Sequence, residues 1–229
     1  MYQQVRPSIL PTVVKNLLII NGLFFLATLV FEKQFGINLS FKLGLYYPAS
    51  ESFRPYQLVT HFFMHGSFMH LLSNMFALWM FGSNIENVWG PKRFLFFYFF
   101  TAFGAALLHM AVNFFLLYQI SLAGAGISPD QFYAQQIIYG VPVVGASGAV
   151  FGVLLAFGMM FPNTELLMLF FPVPIKAKYF VALYGLMELY LGFENMQGDN
   201  IAHFAHLGGM LFGFILIKIW NKKNRRTLY

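Results

Sequence analysis

The chain of 229 residues contains no cysteine, and only 10% of its residues are charged. The absence of cysteine excludes disulfide bonds and thiol catalysis and leaves the redox compartment open. Soluble domains carry about 25% charged residues. The low charge, with 59% hydrophobic residues and a mean hydropathy of +0.65, therefore indicates an integral membrane protein whose first partner is the lipid bilayer.

The sequence predicts neither a nucleic-acid partner nor a cleaved signal peptide. The formal net charge is +6, but the basic residues are scattered over short loops and the C-terminal end, so no nucleic-acid partner is expected. Residues 1–31 carry a long apolar stretch without a small-residue cleavage site, unlike a secretory signal peptide. This first segment is expected to stay as a membrane anchor.

Six apolar segments predict an all-α membrane protein, a single domain over residues 1–229. A helix needs about 20 residues to cross the hydrocarbon core, and shorter or broken spans are tolerated where they line a cavity. No internal repeat divides the chain. The predicted spans are 14–31, 60–82, 93–116, 146–161, 178–194 and 202–220, followed by a basic cytoplasmic tail, 221–229.

The distribution of lysine and arginine predicts the orientation of these spans. With the N-terminus inside, only Lys33, Lys42 and Arg54 of the 14 basic residues fall in outer loops. Cytoplasmic loops carry the excess of positive charge, so both termini are predicted to be cytoplasmic. Because the soluble tails are short, we expect a multi-pass protein of the bacterial inner membrane, with the oligomeric state left open.

A serine and a histidine begin two of the predicted spans. Ser147, within Gly145-Ala-Ser-Gly148, opens the fourth span, and His206 lies near the start of the sixth. In the predicted orientation both lie in the outer half of the membrane. Polar groups at such depth usually face the bundle interior or a water-filled cavity and mark function. We therefore predict a Ser–His dyad in a water-accessible cavity, with His206 as general base for Ser147.

Glycines lie close to both Ser147 and His206 in the sequence. Gly148 with Gly152, and Gly209 with Gly213, repeat at four-residue spacing, which lets helix backbones approach closely. One interpretation is that these glycines form only a helix-packing surface. The other is that close packing brings the imidazole to the serine, whose first-turn backbone N–H could stabilise an oxyanion.

A second polar pair lies on the second span. His70 and Asn74 are four residues apart, on one helix face, and both can donate hydrogen bonds to developing negative charge. The alternative is a polar pair that joins helices. His61 and His65 have the same spacing, but there is no His-Glu-x-x-His motif, so no metal is predicted.

Several polar residues are left with less definite assignments. His203 could compete with His206 as the base, but it is expected to be a polar residue at the membrane interface. No carboxylate is an evident third member of a triad, although Glu194 or Asp199 could orient a histidine. Glu188 is expected to form hydrogen bonds within the bundle, and the alternative is a role in the site. A dyad is the simpler prediction.

Taken together, these motifs resemble those of the rhomboid intramembrane serine proteases. The resemblance rests on Gly145-Ala-Ser-Gly148, Ala205-His-x-Gly-Gly-x-x-x-Gly213 and His70-x-x-x-Asn74, and covers roughly residues 50–215. Phe53-Arg54 and Gly82-x-x-x-Glu86-x-x-x-Gly90 also resemble elements of that family.

The resemblance implies a six-helix bundle with a cavity open to the outer side. Ser147 would be the nucleophile and His206 the base, with an oxyanion hole made by His70, Asn74 and the Ser147 backbone N–H. Phe151 would stack on the histidine, where some members have a tyrosine. The loop 32–59 would lie at the outer leaflet, and residues 195–201 would cap the site.

The implied activity is endopeptidase cleavage of transmembrane protein substrates through an acyl-enzyme, without a cofactor. Two alternatives remain. A catalytically inactive relative would bind transmembrane segments without cleaving them. A transporter or channel would more naturally have repeated halves, which this sequence lacks.

Overall fold

The computed structural model describes residues 7–167, 173–194 and 203–226, which are mostly helical. The helices are α1 (Thr12–Phe35), α2 (Leu39–Leu43), α3 (Gln57–Thr60), α4 (Phe68–Ala77), α5 (Ser83–Trp89), α6 (Pro91–Ala123), α7 (Pro129–Gly140), α8 (Ser147–Met160), α9 (Ala177–Glu194) and α10 (His203–Arg226). Short 3₁₀ turns follow α3 and α6, and a π turn, Leu78–Gly82, joins α4 to α5. Two antiparallel strands, β1 (Glu165–Leu166) and β2 (Ile175–Lys176), form a small hairpin that the sequence did not predict.

Three of the described helices are long and apolar enough to cross a membrane. They are α1, α6 and the segment His203–Lys222 of α10, so the protein is a multi-pass membrane protein. Helix α8 is apolar but has only 14 residues. The six-span count therefore stays a prediction, while the helical bundle itself is confirmed.

The second predicted span, 60–82, begins later than expected. The chain leaves helical geometry at Met64, and α4 starts at Phe68 because the Ser67 hydroxyl caps it, accepting a hydrogen bond from the His70 N–H at 3.1 Å. His61 and His65 consequently precede the helix. The continuous helical segment, with its π turn, runs on to Trp89 rather than ending at 82.

The segment 117–145, which separates the predicted third and fourth spans, contains a helix that we did not predict, α7. Ser128 and Gln131 form a reciprocal capping box at the start of α7. After α7, Val143 pairs with Leu45 of the first loop in an antiparallel bridge. The predicted cap, 195–201, and residues 227–229 of the tail lie outside the described residues.

Helix α8 lies in the middle of the bundle. It is apolar on every side, as expected of a buried helix, and ten of its 14 residues are buried. It packs against α6, α9 and α10. The predicted close approach is present, since a Cβ on Gly209 of α10 would overlap the Gly148 carbonyl of α8. This contact sets the distance between the starts of the two helices.

Glu86 of α5 forms hydrogen bonds to the start of α1. Its side chain is only 3% exposed, and its two carboxylate oxygens accept the backbone N–H groups of Val13 and Val14 at 2.9 and 2.8 Å. A carboxylate is favourable there because the first N–H groups of a helix lack intrahelical acceptors and carry partial positive charge. The motif around Glu86 therefore has a structural role in this chain.

Candidate active site

Ser147 is the first residue of α8. The preceding Gly145 has φ +126°, a conformation that favours glycine, and its N–H donates to the His61 carbonyl at 2.9 Å. Ala146 at the N-cap offers no side-chain cap. The backbone N–H of Ser147 thus points out of the helix start without an intrahelical acceptor, beside its own hydroxyl.

His206 lies on the first turns of α10 and reaches the serine. The distance between His206 Nε2 and Ser147 Oγ is 2.9 Å, a hydrogen bond. The Gly209–Gly148 backbone contact one turn further along α10 makes this approach possible. Of the two histidines weighed from the sequence, the structure brings His206 to Ser147.

Phe151 holds the imidazole from one side. Its ring is stacked on that of His206, with centroids 4.1 Å apart and 4° between the planes. The Phe151 ring is also stacked on Tyr184 of α9, with centroids 5.0 Å apart and 29° between the planes. Because Phe151 is one turn after Ser147, helix α8 supplies both the serine and the surface that orients its histidine.

Glu188 of α9 holds the same imidazole at its other nitrogen. Glu188 Oε2 lies 2.9 Å from His206 Nδ1 and 2.7 Å from His203 Nδ1. The expectation that Glu188 forms hydrogen bonds within the bundle is confirmed, but its partners are the two histidines. His203, expected at the membrane interface, is 4% exposed and buried against this carboxylate.

The predicted oxyanion donors lie on α4, close to the loop that leads into α8. A Cβ built on Gly145 would be 2.9 Å from the His70 ring and 3.6 Å from Ser147 Oγ. The His70 ring can lie this close to the loop because residue 145 has no side chain. Asn74 is buried, and its Nδ2 donates to the His70 carbonyl at 2.8 Å. Gly213 lies beside Gly152 Cα, further along the same α8–α10 contact.

His61 and His65, the histidine pair with four-residue spacing, each contact another group. His61 Nδ1 lies 2.6 Å from the Gln57 carbonyl, and His65 packs edge-on against the His70 ring. Among the described residues, the group with metal-ligand spacing is instead Glu188, His203 and His206, whose donor atoms lie within 4.8 Å of one another. Those atoms already form the short hydrogen bonds described above.

Sequence reasoning had looked for a third residue next to the sixth span. Asp199 and the side chain of Glu194 lie outside the described part of the structure. The carboxylate that reaches His206 comes from the middle of α9, 18 positions earlier in the chain. The available signal was a lone carboxylate inside an apolar span, which usually marks function.

Comparison with known sequences identifies rhomboid proteins as relatives of this chain. Residues 52–223 match the sequence profile of the Rhomboid domain. Rhomboid protein 1, mitochondrial, from Saccharomyces cerevisiae is 34% identical over 173 residues, 72% of this chain and 43% of that protein. RHOMBOID-like protein 12, mitochondrial, from Arabidopsis thaliana is 30% identical over 199 residues, 86% of this chain and 55% of that protein.

A third relative, Presenilin-associated rhomboid-like protein, mitochondrial, from Mus musculus, is 31% identical over 178 residues, 72% of this chain and 39% of that protein. The chain thus spans about half the length, or less, of these curated relatives. The matched region contains every residue of the site described above.

Proposed function

The chain belongs to the rhomboid family, and we propose that it is an intramembrane serine endopeptidase. The observation that carries this proposal is the 2.9 Å hydrogen bond between Ser147 Oγ and His206 Nε2 at the start of two apolar helices. A hydroxyl is a weak nucleophile until an adjacent base takes its proton. This pair has the required geometry.

In the proposed reaction, His206 Nε2 takes the Ser147 proton as Oγ attacks the carbonyl of the scissile peptide bond. The carbonyl oxygen becomes an oxyanion, which the Ser147 backbone N–H, His70 and Asn74 stabilise as donors. Histidine and asparagine side chains both offer N–H groups. The imidazolium then gives its proton to the leaving amine, and the acyl-enzyme forms.

Water completes the reaction by hydrolysing the acyl-enzyme, with His206 again acting as base. This chemistry uses only side chains and backbone of the chain itself, without a cofactor. The substrate class is transmembrane protein segments. A peptide bond in an intact helix is shielded by its own hydrogen bonds, so substrates with helix-breaking residues near the cleavage site are favoured.

The membrane arrangement belongs to the same proposal. Six spans with both termini on the cytoplasmic side put Ser147 and His206 in the outer half of the bilayer, in a cavity that admits water. The predicted bacterial inner membrane finds no support among the relatives, whose names place them in mitochondria. The host membrane stays a prediction to be tested by fractionation of the source cells.

Labelling by a fluorescent fluorophosphonate tests the proposal. Purified protein in detergent is expected to react at Ser147, with the adduct located by mass spectrometry of the tryptic peptide. Ser147→Ala and His206→Ala should lose the label while keeping their helical circular dichroism. A folded wild type that never reacts would favour the alternative, an inactive relative that binds transmembrane segments.

A further inference from the structure

We infer that Glu188 is a positioning residue of this protease, which makes the site a Ser147–His206–Glu188 triad rather than a dyad. The inference rests on the proposed function, because a residue can only position a base that is used. It assigns the carboxylate in the middle of α9 a role that the motifs around Ser147 and His206 do not contain.

The contact between Glu188 and His206 is held by the packing of α9 against α10 and by a second hydrogen bond to the same carboxylate. The carboxylate is 4% exposed, and one of its oxygens, Oε2, accepts from Nδ1 of both His203 and His206. A buried carboxylate is costly unless it is paired and hydrogen-bonded. The two histidines supply those partners from successive turns of α10, so the three side chains are held as one unit.

The carboxylate fixes where the imidazole proton resides. A carboxylate only accepts hydrogen bonds, so the nitrogen that faces it, Nδ1 of His206, is the protonated one. Nε2 then carries the lone pair, and Nε2 is the nitrogen 2.9 Å from Ser147 Oγ. Glu188 therefore selects the tautomer in which His206 can act as a base.

The same contact matters during the reaction. When Nε2 takes the serine proton, His206 becomes an imidazolium between Phe151 and Glu188. The negative carboxylate stabilises that charge, and because Glu188 is buried the attraction is stronger than it would be between exposed groups in bulk water. His203, at 2.7 Å from the same oxygen, keeps the carboxylate in place.

A set of matched variants tests this role through the rate of fluorophosphonate labelling at Ser147. Glu188→Gln preserves the size of the side chain but removes its charge, and should lower the rate by as much as about 10⁴-fold, the loss that removal of a triad carboxylate causes elsewhere. Glu188→Asp keeps the charge and should recover part of that rate. His203→Gln should cost less than Glu188→Gln, because Glu188 then keeps its bond to His206.

The matched control is Glu86→Gln. Glu86 is an equally buried carboxylate that accepts two hydrogen bonds, but it contacts the start of α1 rather than the site. This variant should lower the thermal unfolding midpoint and leave the labelling rate of the folded fraction unchanged. Comparing the two glutamines separates a general need for buried carboxylates from a role at His206.

The pH profile of labelling gives a readout that a merely structural residue would not move. Among the described residues, the other titratable side chains that interact with His206 are His70 on α4, His109 on α6 and His203 on its own helix, and all are unchanged in Glu188→Gln. Replacing the carboxylate therefore removes one negative charge beside the imidazole and leaves these other groups in place. The pH profile of Glu188→Gln should differ from that of wild type, whereas the profile of Glu86→Gln should match it.

Several results would overturn the inference. If Glu188→Gln is labelled at the wild-type rate and with the wild-type pH profile, Glu188 has no role in the mechanism. The same conclusion follows if Glu86→Gln loses as much labelling rate per folded molecule as Glu188→Gln. In both cases the proposed protease activity would stand. Loss of wild-type labelling after treatment with EDTA would mean that Glu188, His203 and His206 hold a metal instead. A folded wild type that is never labelled would overturn the proposed function and the triad together.

Discussion

The ring of Phe151 lies parallel to the imidazole of His206, with 4.1 Å between their centroids. The two residues come from α8 and α10, and the same turn of α8 carries Ser147 at its start. Helix α8 thus carries the serine and also restrains the orientation of the imidazole ring. Glu188 contacts the edge of that ring, so the imidazole is constrained both at its face and at Nδ1.

Loss of this stacked ring should slow the enzyme without removing its nucleophile. Aromatic pairs contribute about 0.5–1.5 kcal/mol beyond burial, so Phe151→Leu should lower the labelling rate at Ser147 by about two- to tenfold, whereas Phe151→Tyr should keep it. Phe157→Leu, in the same helix and packed on Phe81 rather than the site, is the control and should label at the wild-type rate. Equal rates in all three variants would contradict an orienting role for the ring.

The contact between Gly209 and Gly148 should tolerate no side chain. A Cβ at position 209 would overlap the Gly148 carbonyl, so Gly209→Ala must push α10 away from α8. Overpacking typically costs about 1–3 kcal/mol, and here it also lengthens the distance from His206 to Ser147. The expected result is a lower unfolding midpoint in detergent and loss of labelling.

Gly22→Ala provides the comparison for that variant. Gly22 also lies within a helix, α1, but a Cβ there would meet nothing within 4 Å. Alanine is favoured over glycine in a helix by about 1 kcal/mol, so this variant should be at least as stable as wild type and fully labelled. A Gly209→Ala variant that behaves like Gly22→Ala would refute the packing argument.

Removal of an oxyanion donor should reduce cleavage of a peptide substrate. His70→Ala and Asn74→Ala are each expected to lower kcat by about 10²–10³, with little effect on the unfolding midpoint of His70→Ala. Ser73→Ala changes an exposed residue on the same helix, whose hydroxyl donates to the His70 carbonyl, and should retain full activity. Wild-type kcat in both donor variants would remove α4 from the oxyanion hole.

Glu86 should matter for stability alone. Its replacement by glutamine weakens two hydrogen bonds to the start of α1, and hydrogen bonds to charged groups contribute about 1.5–3 kcal/mol each. Because glutamine can still accept one of them, Glu86→Gln should lower the free energy of unfolding by about 1–3 kcal/mol. Asn87→Ala, which loses only the exposed bonds to Ser8, should cost less.

The site residues that could be predicted from the sequence are those with a characteristic local spacing. A serine before an apolar helix, a histidine beside a glycine ridge and a His–Asn pair at four-residue spacing each follow from helix periodicity. Ser147, His206 and Phe151 lie in direct contact in the structure, as their positions suggested. Charge distribution and segment length likewise indicated a helical membrane bundle before any tertiary contact was considered.

Glu188 could not be assigned in that way. Whether a carboxylate in an apolar helix faces a neighbour or the site depends on the rotation of α9 against α10, and this rotation is fixed by tertiary packing. The start of α4 was also misplaced, because the Ser67 cap outweighs the apolar run that precedes it. The capping box of α7, by contrast, is a local signal that sequence reasoning could have used.

Cleavage in a bilayer tests the central claim most directly. The purified protein would be reconstituted in liposomes with a single-span membrane protein, labelled at one end, whose transmembrane segment contains glycine and proline. The wild type should produce two fragments whose termini, mapped by mass spectrometry, lie in or beside the span, and Ser147→Ala should produce none. Fragments released by Ser147→Ala at the wild-type rate would contradict the account.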